Sequence, residues 1–121
     1  MEYRAAPSHK IPFGDGHFDI VTCLNALDHV DDFEGTVAEI KRVTKRGGLF
    51  LVSVEIDHPP TAAEPIVLSK RSFQAFAPEF TTLQEDTFGT PADHMLHDGV
   101  LLKAPYVSGH SGIYVAKMQR V

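Results

Sequence analysis

The sequence predicts an α/β domain, and three observations carry that reading. A short apolar, β-branched run fills residues 18–24, apolar residues recur at helical spacing over about 32–45, and a second apolar run fills 49–56. Strand, helix and strand in that order form a parallel unit with a right-handed crossover, the helix packed on the sheet.

Phe13-Gly14-Asp15-Gly16 is a turn signal that delivers the chain into FDIVTCL. That run reads as a strand buried on both faces. Asp31 with Glu34 has the spacing that satisfies free amides at a helix start, and Phe33, Val37, Ile40 and Val43 give the helix an apolar stripe. Lys41, Arg42, Lys45 and Arg46 sit where the negative end of the helix dipole favours them, and Gly47-Gly48 supplies a left-handed stop. LFLVSVEI, residues 49–56, is the next strand.

Beyond it, Asp57-His58-Pro59-Pro60 breaks the pattern. Ser69 caps a short helix carrying Phe73 and Phe76, and Pro78 stops it. Residues 80–88 and 113–118 read as strands, the latter half-exposed. The stretch between them holds Pro91, Gly99, Pro105, Gly109 and Gly112, with a short strand expected at 100–102.

With 121 residues the chain fits a single domain, 1–121, built on one core. Eleven Lys and Arg against sixteen Asp and Glu give a net charge of -5, and the only basic cluster is explained by the helix end. A nucleic-acid face is therefore excluded. The lone Cys23 lies in an apolar run, where a small buried thiol is the ordinary reading and a nucleophile the remote one. No apolar run approaches the ~20 residues that span a bilayer, and MEYRAAPSHK lacks the hydrophobic stretch of a signal peptide. The expectation is a soluble, cytoplasmic protein without a membrane partner.

With these elements in place, IPFGDGHFDIVTCLNALDHV and EIKRVTKRGGLFLVSV resemble the class I S-adenosylmethionine-dependent methyltransferases, especially the ubiquinone/menaquinone-biosynthesis-like group. That family's pattern runs "LPF.dgsFD.v....vl.hv.d....l.ei.RvlkpGG.l.l". The resemblance is specific over residues 10–54, and it continues through Ser69 to Phe80 and GIYVAKM. It implies a truncated Rossmann-like methyltransferase sheet with flanking helices, strands 4-5-7-6 with the last strand antiparallel. MEYRA resembles strand 3 of the family.

The resemblance also marks what these 121 residues do not contain. The family holds its cofactor chiefly with a Gly-rich turn after strand 1 and an acid at the end of strand 2, and neither occurs here. Pro7 stands where the family's Asp reaches the adenine amine, and proline offers neither a carboxylate nor a backbone donor. Leu24 and Asn25 match positions that approach the methionine part of S-adenosylmethionine. Asp28 and His29 follow in the same turn. A neutral His29 there takes a proton from a hydroxyl acceptor with Asp28 orienting it, or the two residues simply cap and solvate the loop. Adjacent residues seldom point at one substrate atom.

Asp93-His94, His97-Asp98 and His110 are the only local metal-type cluster, and a third ligand at firm spacing is missing, so no metal site is assigned. No Ser-His-Asp motif or phosphate-binding loop is present. Three readings follow. The favoured one is a methyltransferase-like half domain, inactive alone, that serves as a structural or interaction module. The second is part of a methyltransferase for a small molecule, completed by another chain or an N-terminal region. The third is a small-ligand binding protein. An unpaired edge on strand 18–24 further implies a homodimer through residues 1–24.

Overall fold

The computed structural model describes residues 2–90, 100, 102–108 and 110–121. Four strands and one α-helix organise them: β1 (Phe18–Leu24), α1 (Phe33–Val43), β2 (Thr44–Ile56), β3 (Phe80–Gly89) and β4 (Gly112–Arg120), with a 3₁₀ helix over Lys70–Phe76. The sheet order is β1-β2-β4-β3. β1 and β2 are parallel, while β4 is antiparallel to both β2 and β3. This is the order 4-5-7-6 with an antiparallel strand that the sequence implies.

One face of the sheet makes the core. Phe50, Val52, Val54 and Ile56 alternate along β2 and pack with Val37 and Ile40 of α1, Phe73 and Phe76 of the 3₁₀ helix, and Tyr114, Ala116 and Met118 of β4. Phe50 lies 5.0 Å from Phe76, and Phe73 stacks on Tyr114 at 4.3 Å between ring centroids. At roughly 25 cal/mol per Å² of buried apolar surface, these aromatic groups are the largest single contributors to the core.

Several expectations are corrected. β1 is buried on one side only: Val21 and Cys23 pack on the core, whereas Ile20 is 56% and Leu24 63% exposed. The physical cause is that the core elements pack over one face of β1 only. β4, expected to be half-exposed, is central and mostly buried because it pairs on both sides. Of MEYRA, residues 2–5 form no strand. Residues 2–6 are exposed and irregular, and the chain turns at Pro7, whose carbonyl accepts from Lys10 N–H at 3.0 Å. It is then tied to α1 by the Ser8 Oγ–Thr36 Oγ1 pair at 2.7 Å and by Ile11 N–H to Glu39 at 2.7 Å.

The helix cap is Asp32, not Asp31: its carboxylate accepts from Gly35 N–H at 2.9 Å. The helix ends at Thr44, whose hydroxyl donates to the Ile40 carbonyl, and β2 begins there. Gly47 and Gly48 form a bulge, across which pairing jumps from Phe18–Thr44 to Ile20–Leu49. Gly47 has φ 81°, and a side chain on Gly48 would strike the carbonyls of Lys45 and Asp19. The 3₁₀ helix follows Ser69 and stops before Pro78 as read from the sequence. Of the strand expected at 100–102, Leu101 lies outside the described residues and Leu102 is in a turn.

Candidate functional site at the strand carboxyl ends

Parallel pairing of β1 with β2 sets Leu24 opposite Ser53, so the loops that leave both strands emerge on one end of the sheet. Ligands in open α/β sheets bind at that end. The β1 loop begins at Asn25, held at φ 53° with its N–H on the Ser53 carbonyl at 2.6 Å. A turn closed by His29 N–H to the Ala26 carbonyl at 3.0 Å then carries Leu27 and Asp28 into the interior and His29 towards the surface.

The β2 loop supplies the remaining groups. Asp57, at φ 57°, donates its N–H to the Leu68 carbonyl and accepts from the Tyr106 hydroxyl. His58 follows, buried, and Glu64 is placed by a turn in which its N–H meets Thr61 Oγ1 at 2.9 Å.

These two loops bring four titratable side chains together. His58 Nε2 lies 3.1 Å from Asp28 Oδ2, and His29 Nε2 lies 3.5 Å from Asp28 Oδ1 and 3.3 Å from Glu64 Oε1. Both imidazoles are anchored at their other nitrogen: His58 Nδ1 donates to the Pro59 carbonyl at 2.9 Å and His29 Nδ1 to the Ala63 carbonyl at 3.0 Å. A carbonyl only accepts, so each Nδ1 carries the proton and each Nε2 faces a carboxylate. Burial alone would lower the His58 pKa. The Pro59 hydrogen bond and the charges of Glu55, Asp28 and Glu64 outweigh it and hold that pKa above its ordinary value.

Asp28 is fully buried, yet neither of its oxygens has an aligned hydrogen-bond donor among the described residues, despite the short approach of His58. Burying a carboxylate without such donors costs several kcal/mol, so this cluster is not a stabilising device. Cys23 is no nucleophile here. Burial, and then the charge of Asp28, raise its pKa and keep it a thiol.

Of the residues singled out in the sequence, Asp28, His29 and Asn25 sit in this loop, and Leu24 opens the adjoining surface, lining a shallow cavity of about 290 Å³ with Ser53 and Val115. Pro7 lies instead at the turn before α1. His58 and Glu64 were missed, the signal being a histidine directly after an apolar strand and before two prolines. Asp93, His94, His97 and Asp98 lie outside the described residues. A cavity of about 500 Å³ between the 3₁₀ helix, β3 and β4 is lined by none of these groups.

The methyltransferase domain family matches residues 1–52. A ubiquinone/menaquinone biosynthesis C-methyltransferase (UbiE) of Ectopseudomonas mendocina is 32% identical over 111 residues, which are 88% of this chain and 43% of that protein. The UbiE of Pseudomonas fluorescens strain SBW25 is 38% identical over 78 residues, 64% of this chain and 30% of that protein. The chain therefore spans less than half the length of these curated relatives. Among solved structures, geranyl diphosphate C-methyltransferase of Streptomyces coelicolor superposes with a TM-score of 0.71 at 15% identity, covering 98% of this chain and 52% of that one. The [4+2]-cyclase SpnF gives 0.70 at 15% identity over 97% of this chain and 56% of its own.

Fold and sequence together make this chain a member of the class I S-adenosylmethionine-dependent methyltransferase family, with the counterparts of that sheet's strands 4 to 7. Within the family its sequence goes with the ubiquinone/menaquinone biosynthesis group. Because a cyclase shares the fold, the fold alone does not fix the reaction.

The residues expected to meet the family's cofactor are not brought together in this chain. Leu24 and Asn25, expected on the methionine side, lie at the end of β1, but Pro7, expected at the adenine position, lies in the turn before α1, and residues 2–6 form no strand. No step through the cofactor is therefore derived from this chain.

Proposed function

We propose that the chain is the acceptor-side half of a methyltransferase for a small molecule, and that the strands which hold the cofactor come from another polypeptide segment. The carrying observation is the buried Asp28 carboxylate, flanked by His29 and His58 at the carboxyl ends of two parallel strands. A half domain that serves only as a structural or interaction module has no use for a buried carboxylate without donors. A site that must take up a proton does.

His29 is the group for that task. Its side chain is 39% exposed, its Nδ1–H is fixed on Ala63, and its Nε2 lone pair is free to accept the proton of a hydroxyl or an acidic C–H on the acceptor. The imidazolium so formed lies between Asp28 and Glu64, which stabilise it. His58 Nε2 lies 3.1 Å from the other oxygen of Asp28. The two UbiE relatives are C-methyltransferases by name, which supports a hydroquinone-type carbon acid as the acceptor class.

The test is a fusion of the N-terminal part of the Ectopseudomonas mendocina relative, carrying its strands 1 to 3, to residues 2–121. It is expected to bind S-adenosylhomocysteine by calorimetry and to move label from S-adenosylmethionine onto a hydroquinone, with His29→Ala lowering turnover ~100-fold. A fusion that binds the product nucleoside but labels no small acceptor would overturn the reading, and so would full turnover in His29→Ala.

A further inference from the structure

The distances around His29 do not suit a simple ion pair. Its Nδ1–H is used on the Ala63 carbonyl, so a neutral imidazole presents a lone pair at Nε2 to two carboxylate oxygens, which are acceptors as well. Three acceptors then face one another with no donor between them. A proton on Nε2 would make a charge-assisted N–H···O bond, and such bonds close to roughly 2.7–2.9 Å. The separations are 3.3 and 3.5 Å.

Those separations match a different arrangement. Ligands about 2.0–2.1 Å from a tetrahedral metal ion stand roughly 3.3–3.4 Å from one another. One ligand atom each from Asp28, His29 and Glu64 lies within 4.8 Å of the other two. The independent sign of a ligand is Asp28: its side chain is inaccessible to solvent, both oxygens lack an aligned donor among the described residues, and one of them faces the cluster. The supporting contacts are those a metal site needs. The Ala63 carbonyl fixes the His29 tautomer, and His58, itself anchored on Pro59, stands 3.1 Å from the second oxygen of Asp28.

We propose that Asp28, His29 and Glu64 bind one divalent transition-metal ion of zinc-like preference, leaving its fourth position open. One imidazole and two carboxylates suit such borderline ions, and three protein ligands with an open place is the pattern of a reactive rather than a structural centre. The site goes beyond methyl transfer and does not depend on it. A proton and a metal ion compete for the same His29 lone pair, so the metal-loaded chain cannot use His29 as a base. An oxygen acceptor held at the open position would instead have its own proton made more acidic by the ion.

Calorimetric titration of the full chain with Zn²⁺ tests this, together with the visible d–d absorption of the Co²⁺-loaded protein. One ion per chain and a four-coordinate Co²⁺ spectrum are expected. His29→Ala and Glu64→Gln, each checked for folding by circular dichroism, should weaken binding at least ~100-fold, and His58→Ala by ~10–100-fold, as for a supporting contact. The pair His94→Ala with His97→Ala should leave affinity unchanged. Absence of stoichiometric binding would overturn the proposal. So would unchanged affinity in folded His29→Ala and Glu64→Gln proteins, or loss only in the His94/His97 pair.

Discussion

His58 Nε2 stands 3.1 Å from Asp28 Oδ2, both side chains being almost wholly buried. Removing one member of such a pair leaves a charge in the interior without compensation, which costs roughly 3–5 kcal/mol. His58→Ala is therefore expected to lower the urea unfolding free energy by about 3 kcal/mol, measured with chelator present. Asp28→Leu combined with His58→Leu should cost less than the single change, because no stranded charge remains. Equal or additive losses would show that the pair does not carry an interior charge.

A second charged pair governs acid stability. Arg42 holds both oxygens of Glu39, Nε to Oε1 at 2.7 Å and Nη2 to Oε2 at 2.8 Å, and extends to the carbonyls of Phe13 and Ile11 and to Asp15. The Arg42 hydrogen bond, acting against burial and with help from the Ile11 N–H, pushes the Glu39 pKa down to about 2 from an ordinary 4.5. A depressed carboxylate contributes stability that is fully present above its unfolded pKa and lost as pH falls through the folded one. Unfolding free energy should decline between pH 4.5 and about 2, and Glu39→Gln should flatten that decline. An identical acid profile in the variant would assign the loss to other carboxylates.

Arg42→Lys is expected to loosen the 11–16 loop specifically. A lysine is a point charge and cannot span two oxygens of Glu39 and two carbonyls at once. Amide exchange at Gly16, whose N–H meets the Arg42 carbonyl at 2.8 Å, should stay slow, while the Ile11 amide bound to Glu39 should speed up by at least about tenfold. Unchanged exchange at Ile11 would show that Glu39 alone fixes the loop.

The strand–helix–strand unit was legible because its signals are local: the apolar runs, the helical spacing of Val37, Ile40 and Val43, and the Gly-Gly pair. Its details were not. Asp31 and Asp32 are chemically alike, and only the backbone geometry at Asp32 selects the cap. FDIVTCL has the composition of a doubly buried strand, and its open face follows from which elements pack over the sheet there, a long-range fact. The site was half legible for the same reason. Asp28 and His29 lie in a turn that sequence can flag, whereas His58 and Glu64 come about 30 or more residues later and join them only through the parallel register of Leu24 with Ser53.

Cofactor affinity offers a direct measurement. The 121 residues contain no Gly-rich turn after a first strand and no ribose acid, and Pro7 replaces the adenine acid. Hydrogen bonds to charged groups contribute roughly 1.5–3 kcal/mol each. Two to three of them come to roughly 3–9 kcal/mol, which takes a micromolar binder to about 0.1 mM at the least and beyond ~10 mM at the upper end. Calorimetry with S-adenosylmethionine on this chain alone is expected to give a dissociation constant above ~100 μM. A tighter value would require contacts that these residues do not offer.

The last expectation concerns association. β1 pairs only with β2 among the described residues, so one row of its backbone groups faces outward beside the exposed Ile20 and Leu24. Natural edge strands are usually blocked by charge, proline or a covering segment, because an open edge templates pairing with another chain. Residues 2–6 do not cover this one. Residues 8–16 are committed to α1 through Ser8, Ile11 and Arg42, and residues 2–6 are exposed, with Arg4 reaching back to the Pro12 carbonyl and the Phe13 ring. Two copies joined along β1 about a two-fold axis would pair both edges and bury Ile20 twice. Sedimentation across micromolar concentrations is expected to show a dimer, and Ile20→Lys, which puts a charge at the seam, a monomer. A clean monomer for the unaltered chain would reject the arrangement, as would a dimer that Ile20→Lys leaves intact.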